Sequence, residues 1–180
     1  LESWRECNGE NFKKIKYWFR RLNCLPSKVF PSTLGDVVKD KAISEISNFL
    51  RRDNSGIFSV KDLSLMSFPD MFKYSIFSTK IIKLDLSCNK LESISKSIGL
   101  LYNIEELDIS RNRLRALPNS FKRLGKLRKF NISSNKIKSL PKSMGSLFNL
   151  EELILGHNKL NNLPSTFRKL TTLRKIELSV

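Results

Sequence analysis

The chain is poor in the residues on which most chemistry depends. It has a single histidine, His157, so no pair of imidazoles is available to a metal. Its three cysteines, Cys7, Cys24 and Cys88, are odd in number and match no zinc or redox spacing. Reduced thiols in a reducing intracellular compartment are the simplest expectation. Only seven glycines occur, and none builds a phosphate-cradling loop. No apolar run reaches the roughly 18 residues of a membrane span, and no secretory signal is visible. The chain begins at Leu1 rather than Met, so a fragment of a longer protein is expected.

Catalytic constellations are missing as well. Cys88 and His157 share a column of the pattern described below but lie three repeats apart. At ~4.8 Å per strand that is roughly 14 Å, beyond reach of a dyad. Ser110 and Ser133 have no base partner, and no nucleophile–base pair is found. Neither an enzyme nor a cofactor, a metal site or a small-molecule substrate is expected.

What the chain does have is apolar content, positive charge and a repeat. Hydrophobic residues make up 40%, enough for a substantial core. The net charge is +16, of which +4 falls on residues 1–57 and +12 on residues 58–180. Such a surface attracts phosphate, anionic lipid or acidic protein.

Asn89, Asn112, Asn135 and Asn158 recur at one constant spacing, each numbered 23 above the last. At that period the lines IIKLDLSCNKLESISKSIGLLYN (81–103), IEELDISRNRLRALPNSFKRLGK (104–126), LRKFNISSNKIKSLPKSMGSLFN (127–149) and LEELILGHNKLNNLPSTFRKLTT (150–172) align. A partial line, 173–180, stops one residue before its expected asparagine, so the array is expected to continue past Val180. Seven apolar columns recur, in the second line Ile104, Leu107, Ile109, Leu114, Leu117, Phe121 and Leu124. The L-x-L step is strand alternation. The wider spacing after the asparagine suits a turn and a short, loosely helical return, with Pro118, Pro141 and Pro164 at its start. Lines one and three share KS-(I/M)-G-x-L-x-N, and lines two and four share F-(K/R)-(R/K)-L, as in a duplicated 46-residue pair. One repeat cannot bury its own faces, so stability requires stacking. Asn89, Asn112, Asn135 and Asn158 are expected to form a structural ladder that satisfies turn backbone in their own and the adjacent coil.

Residues 1–57 lack the repeat. Phe12, Ile15, Phe19 and Leu22 form one helical stripe beside Trp18, and Val38, Ala42, Ile46, Phe49 and Leu50 form another after a Pro-containing connection. A helical hairpin that caps the first coil is expected. The basic first helix could alternatively serve a membrane surface or calmodulin. Residues 58–80 read as a degenerate first repeat.

The four in-phase lines resemble the leucine-rich-repeat pattern, with Ile94-Ser95 departing from Leu-Pro. The resemblance implies an α/β fold: a right-handed leucine-rich-repeat solenoid with a parallel concave sheet and an N-terminal α-helical cap. Trp18, Ala42-Ile43-Ser44-Glu45-Ile46 and Val60 to Pro69 resemble the hairpin and first repeat of leucine-rich-repeat effectors that bacteria inject into host cells. Many of those have shorter repeats, a departure from the period seen here. The resemblance implies a host protein as partner, secretion into host cytoplasm, and a protein bound on the concave face. Some such effectors carry a ubiquitin-ligase domain, so a substrate-recruiting role for a ligase outside this chain is an alternative.

Outward strand positions carry specificity because side chains alternate across a strand. Lys83, Asp85, Glu106, Asp108, Lys129, Asn131, Glu152, Ile154, Lys175 and Glu177, with Cys88, Arg111, Ser134 and His157, are the candidate partner-binding residues. Glu105-Glu106, Arg128-Lys129, Glu151-Glu152 and Arg174-Lys175 alternate in sign, which favours cross-strand pairing within the chain. A basic strip, Lys90, Arg113, Lys136 and Lys159, follows the asparagines, and a second basic patch comprises Lys122, Arg123, Lys126, Arg168 and Lys169. Anionic lipid or RNA is the alternative ligand for these strips. A monomer is expected.

Overall fold

The computed structural model describes residues 41, 44, 45, 48, 49, 55–68, 72 and 75–178. The expected hairpin lies outside these residues, except that Lys41, Ser44, Glu45, Asn48 and Phe49 are helical. Trp18, Pro69 and Val180 also fall outside them.

The alternating L-x-L segments form six short strands: β1 (Ile57–Ser59), β2 (Lys83–Asp85), β3 (Glu106–Asp108), β4 (Lys129–Asn131), β5 (Glu152–Ile154) and β6 (Lys175–Glu177). They make one parallel sheet in the order β1-β2-β3-β4-β5-β6. From β2 onward the register advances by the sequence period, Lys83 to Glu106 to Lys129 to Glu152 to Lys175. The middle residue of each strand points inward. Leu84, Leu107, Phe130 and Leu153 are all buried, while Ile176 of the last strand is 40% exposed.

Each return segment holds a 3-10 turn: Lys96–Leu100, Asn119–Arg123, Lys142–Ser146 and Ser165–Lys169. Pro118, Pro141 and Pro164 precede the last three at φ −71, −66 and −58, within the range their rings impose. Ser95 stands in that position in the first and solves the problem differently. Its side chain accepts a hydrogen bond from Ser97 N at 3.2 Å, capping the turn.

The 46-residue super-period has a packing cause. A Cβ on Gly99 would sit 2.6 Å from Ser120 O, and one on Gly145 would sit 2.6 Å from Thr166 Cβ. The first and third returns therefore approach the next coil where only glycine fits. Between the strands and these turns runs one continuous core, which takes in every apolar column of the second line.

The first coil is longer than the rest. Ile57 pairs with Lys83, whereas position 60 would do so at the period of the later coils. A six-residue α-helix, Ser75–Lys80, replaces the 3-10 turn. β1 begins at Ile57, one residue inside the segment read as helical. Phe49 packs against Phe58 and Phe77 with ring centroids 4.9 and 6.0 Å apart, and so closes the first end of the core.

Candidate protein-binding face

The site residues fall into rows because the register is regular. One outward row on the sheet reads Ile57, Lys83, Glu106, Lys129, Glu152, Lys175, and its neighbour reads Ser59, Asp85, Asp108, Asn131, Ile154, Glu177. A third row, Cys88, Arg111, Ser134 and His157, lies just beyond the strands. All four have positive φ, between 51 and 56°. None is glycine, so the left-handed backbone costs about 1–2 kcal/mol per residue. No glycine or asparagine marks these positions in the residue pattern. Asp62, at the matching place in the first coil, shares the conformation at φ 55° although Leu63 follows it.

Each ladder asparagine is clamped between two coils. Asn112 Nδ2 donates to Ile109 O and Ser110 O of its own coil and to Leu86 O of the preceding one, while its Oδ1 accepts from Leu91 N at 3.0 Å. Asn135 repeats this with Ile132 O, Ser133 O, Ile109 O and Leu114 N. Asn158 bonds Ile132 O, Leu155 O and Ile137 N. Asn89 adapts to the longer first coil by accepting from both Leu63 N and Leu65 N. Ser110 O and Ser133 O also accept from Cys88 N and Arg111 N, whereas Leu91 N, Leu114 N and Ile137 N depend on the asparagines for their acceptor.

The charged row is largely satisfied within the chain. Glu106 lies between Lys83 at 3.2 Å and Lys129 at 3.7 Å. Lys175 meets Glu152 at 2.7 Å and Glu177 at 3.7 Å. One step before the strands, Arg128 grips Glu151 with Nε at 2.8 Å and Nη2 at 3.3 Å. The hydrogen bond from Arg128, and then its charge, holds the Glu151 carboxyl below its ordinary range, and Lys175 does the same for Glu152. These pairs are exposed, so each contributes little to stability.

The second row differs. Asp85, Asp108 and Asn131 each accept from the backbone N–H two residues on, at Ser87, Ser110 and Ser133, which fixes the chain as it leaves the strand. Ile154 breaks the series with an apolar side chain. Between the two rows a shallow depression of about 340 Å³ runs from Ile57 to Ile154. It is thus apolar at both ends and charged along its length. Arg111 and His157 stand exposed in the third row, beyond it.

The remaining candidates lie elsewhere. Lys90, Arg113, Lys136 and Lys159 follow the asparagines, off the sheet, with backbone N–H groups bonded to the preceding coil. Cys88 is a free, half-buried thiol three coils from His157. A second polar ladder joins the first. Asn103 Nδ2 donates to Thr79 O, Asn149 Nδ2 to Gly125 O and Thr172 Oγ1 to Phe148 O, each reaching the preceding coil. Its signal in the residues is the polar Asn, Asn and Thr at the ends of their lines.

The family model for the leucine rich repeat matches residues 79–137 and 125–180, more than half of the chain. The chain belongs to the leucine-rich-repeat family. The six-strand parallel array is accordingly a leucine-rich-repeat solenoid, the α/β fold the repeat implied. Among solved structures, a leucine-rich-repeat protein of Leptospira interrogans is 27% identical at a TM-score of 0.56, covering 72% of this chain and 38% of that one. Internalin C2 of Listeria monocytogenes is similar in fold at a TM-score of 0.60 and 21% identity, over 68% of this chain and 51% of that one. A further Listeria internalin is 27% identical at a TM-score of 0.51, over 59% and 31% of the two chains. This chain therefore spans about half or less of those proteins. Leucine-rich-repeat arrays serve as protein–protein interaction modules, with their extended sheet surface as the usual binding surface.

Proposed function

We propose that this leucine-rich-repeat array captures a protein partner on its sheet face, and that it is the recognition part of a bacterial effector that works in the reducing cytoplasm of a host cell. The observation that carries the binding reading is the depression between Ile57 and Ile154. It offers apolar anchor points at both ends and acidic groups, Asp85 and Asp108, between them. Rigid strands hold these groups in place, so a partner need not order them on binding. The effector reading rests on the sequence pattern of the N-terminal hairpin and is consistent with bacterial neighbours in fold.

The charged row is a poor choice for testing this face. Reversing Lys129 would also break its pairing with Glu106. Arg111 and Ile154 are better probes, because neither takes part in that row. Affinity capture from eukaryotic lysate with the chain and its Arg111→Glu/Ile154→Asp variant, read by mass spectrometry, tests the proposal. A single host protein retained at about 0.3 M salt and lost in the variant is the expected result. Equal capture by both chains would sink it.

A further inference from the structure

The acidic residues are segregated. From Ser93 onward every Asp and Glu sits on a strand or directly before one: Glu105, Glu106, Asp108, Glu151, Glu152 and Glu177. The segments between those strands carry only basic charge. Residues 110–127 contain Arg111, Arg113, Arg115, Lys122, Arg123 and Lys126 and no carboxylate side chain. On the side away from the basic strip, the return segments between β3 and β4 and between β5 and β6 present Lys122, Arg123, Lys126, Arg168 and Lys169 and no acid.

Two aromatics stand out on that same flank. Tyr102 is 53% exposed and Phe148 is 57% exposed. They occupy one column, just after a 3-10 turn and just before the next strand, two coils apart. Among the described residues, the other exposed large apolar side chains lie on the sheet (Ile57), on the first coil (Met66) or on the last coils (Leu163, Ile176, Leu178). The fold does not need an aromatic in this column. Gly125 and Thr171 stand in it in the alternate coils, and open space surrounds the position of a Cβ on Gly125.

The second polar ladder holds this column still. Asn149 binds Gly125 O, Thr172 binds Phe148 O at 2.7 Å, and Lys126 Nζ donates to Asn103 Oδ1 at 2.9 Å, beside Tyr102. Lys122, Arg123 and Lys126 lie in the coil between the two aromatics, and Arg168 and Lys169 follow in the coil after Phe148, all exposed.

We infer that this flank docks onto an anionic phospholipid surface. Tyr102 and Phe148, about 10 Å apart at two inter-strand spacings, would enter the headgroup layer, where amphipathic and aromatic side chains are favoured. The cations of the intervening and following coils would meet lipid phosphate and carboxylate, each strengthening binding about fivefold. A nucleic acid fits less well. The polar side chains next to the aromatics, Asn103, Asn149 and Thr172, are committed to backbone carbonyls. Adjacent stacking platforms are also absent from the column, since Gly125 separates the two rings. The sheet face stays free in this arrangement, so the inference stands apart from the proposal of a protein partner.

Vesicle sedimentation at about 0.15 M salt tests the inference. Vesicles of phosphatidylcholine alone are compared with vesicles in which roughly one lipid in three is phosphatidylserine. The chain should bind the mixed vesicles and not the neutral ones. Tyr102→Thr/Phe148→Thr, which places in this column the residue that Thr171 already supplies, should weaken binding at least about tenfold with an unchanged thermal melt. Lys122→Glu/Arg123→Glu/Lys126→Glu should abolish it. The equal charge change Arg113→Glu/Lys136→Glu/Lys159→Glu, on the other edge, should cost less than about threefold. Equal losses from the two charge-reversed variants would show that net charge alone acts, and would overturn the inference. So would undiminished binding by the threonine variant, or binding to polyuridylate but not to anionic vesicles.

Discussion

Asn131 Nδ2 donates to Asp108 Oδ2 at 3.0 Å across the β3–β4 pair. This one bond keeps a carboxylate from facing another on the middle of the sheet. Asp85 and Asp108 already stand side by side in that row, and a third acid would extend the repulsion. Asn131→Asp keeps the acceptor for Ser133 N but removes the donor. It should destabilise the fold by about 0.5–1 kcal/mol at neutral pH. Urea denaturation of the two chains at neutral pH measures the loss, and equal midpoints would contradict it.

The asparagine ladder should dominate local stability. Asn135→Ala leaves Leu114 N without its acceptor and takes one of two donors from each of Ile109 O, Ile132 O and Ser133 O. A loss of about 2–4 kcal/mol is expected. The adjacent Lys136→Ala, at an exposed position, should change stability by less than about 0.5 kcal/mol. Paired denaturation curves would test the contrast.

Glycines at two places should behave differently. Gly145→Ala drives a Cβ into Thr166 and should cost about 1–3 kcal/mol. Gly125→Ala meets nothing within 4 Å and should be nearly neutral. Similar effects from the two, in parallel thermal melts, would contradict a packing origin for the super-period.

The pH dependence follows from the exposed ion pairs. Glu151 and Glu152 are held below their unfolded value, by Arg128 and Lys175 in turn. Their contribution is present above the unfolded carboxylate pKa of about 4.3 and is lost as pH falls through the lower folded value. Lys175 is raised, so its contribution is present below about 10.4 and is lost as pH rises through the folded value. Glu151→Gln/Glu152→Gln should flatten the acid limb of the stability profile, and added salt should do the same to the parent chain.

Much of this is legible in the residues. The constant asparagine spacing dictates the strand register from β2 onward, because one repeat is one coil and stacking leaves no freedom to slip. The sign alternation of Glu106, Lys129 and Glu152 announces its own pairing. The first coil is harder to read. Its extra length, and the absence of an asparagine to match Asn89, leave the period intact only in part. The left-handed turn at Cys88, Arg111, Ser134 and His157 is hidden because these four residue types share no preference for it. The second ladder is half visible, as a shared asparagine in lines one and three and Thr172 near the end of the fourth.

Site-specific photo-crosslinking bears most directly on the central claim, that the sheet face is the partner surface. A photoreactive phenylalanine analogue at Ile154 is compared with one at Ser139, an exposed position off the sheet, after irradiation in eukaryotic lysate. One discrete protein adduct from position 154 and none from 139 is the predicted result. An adduct from 139 alone, with nothing from 154, would contradict it.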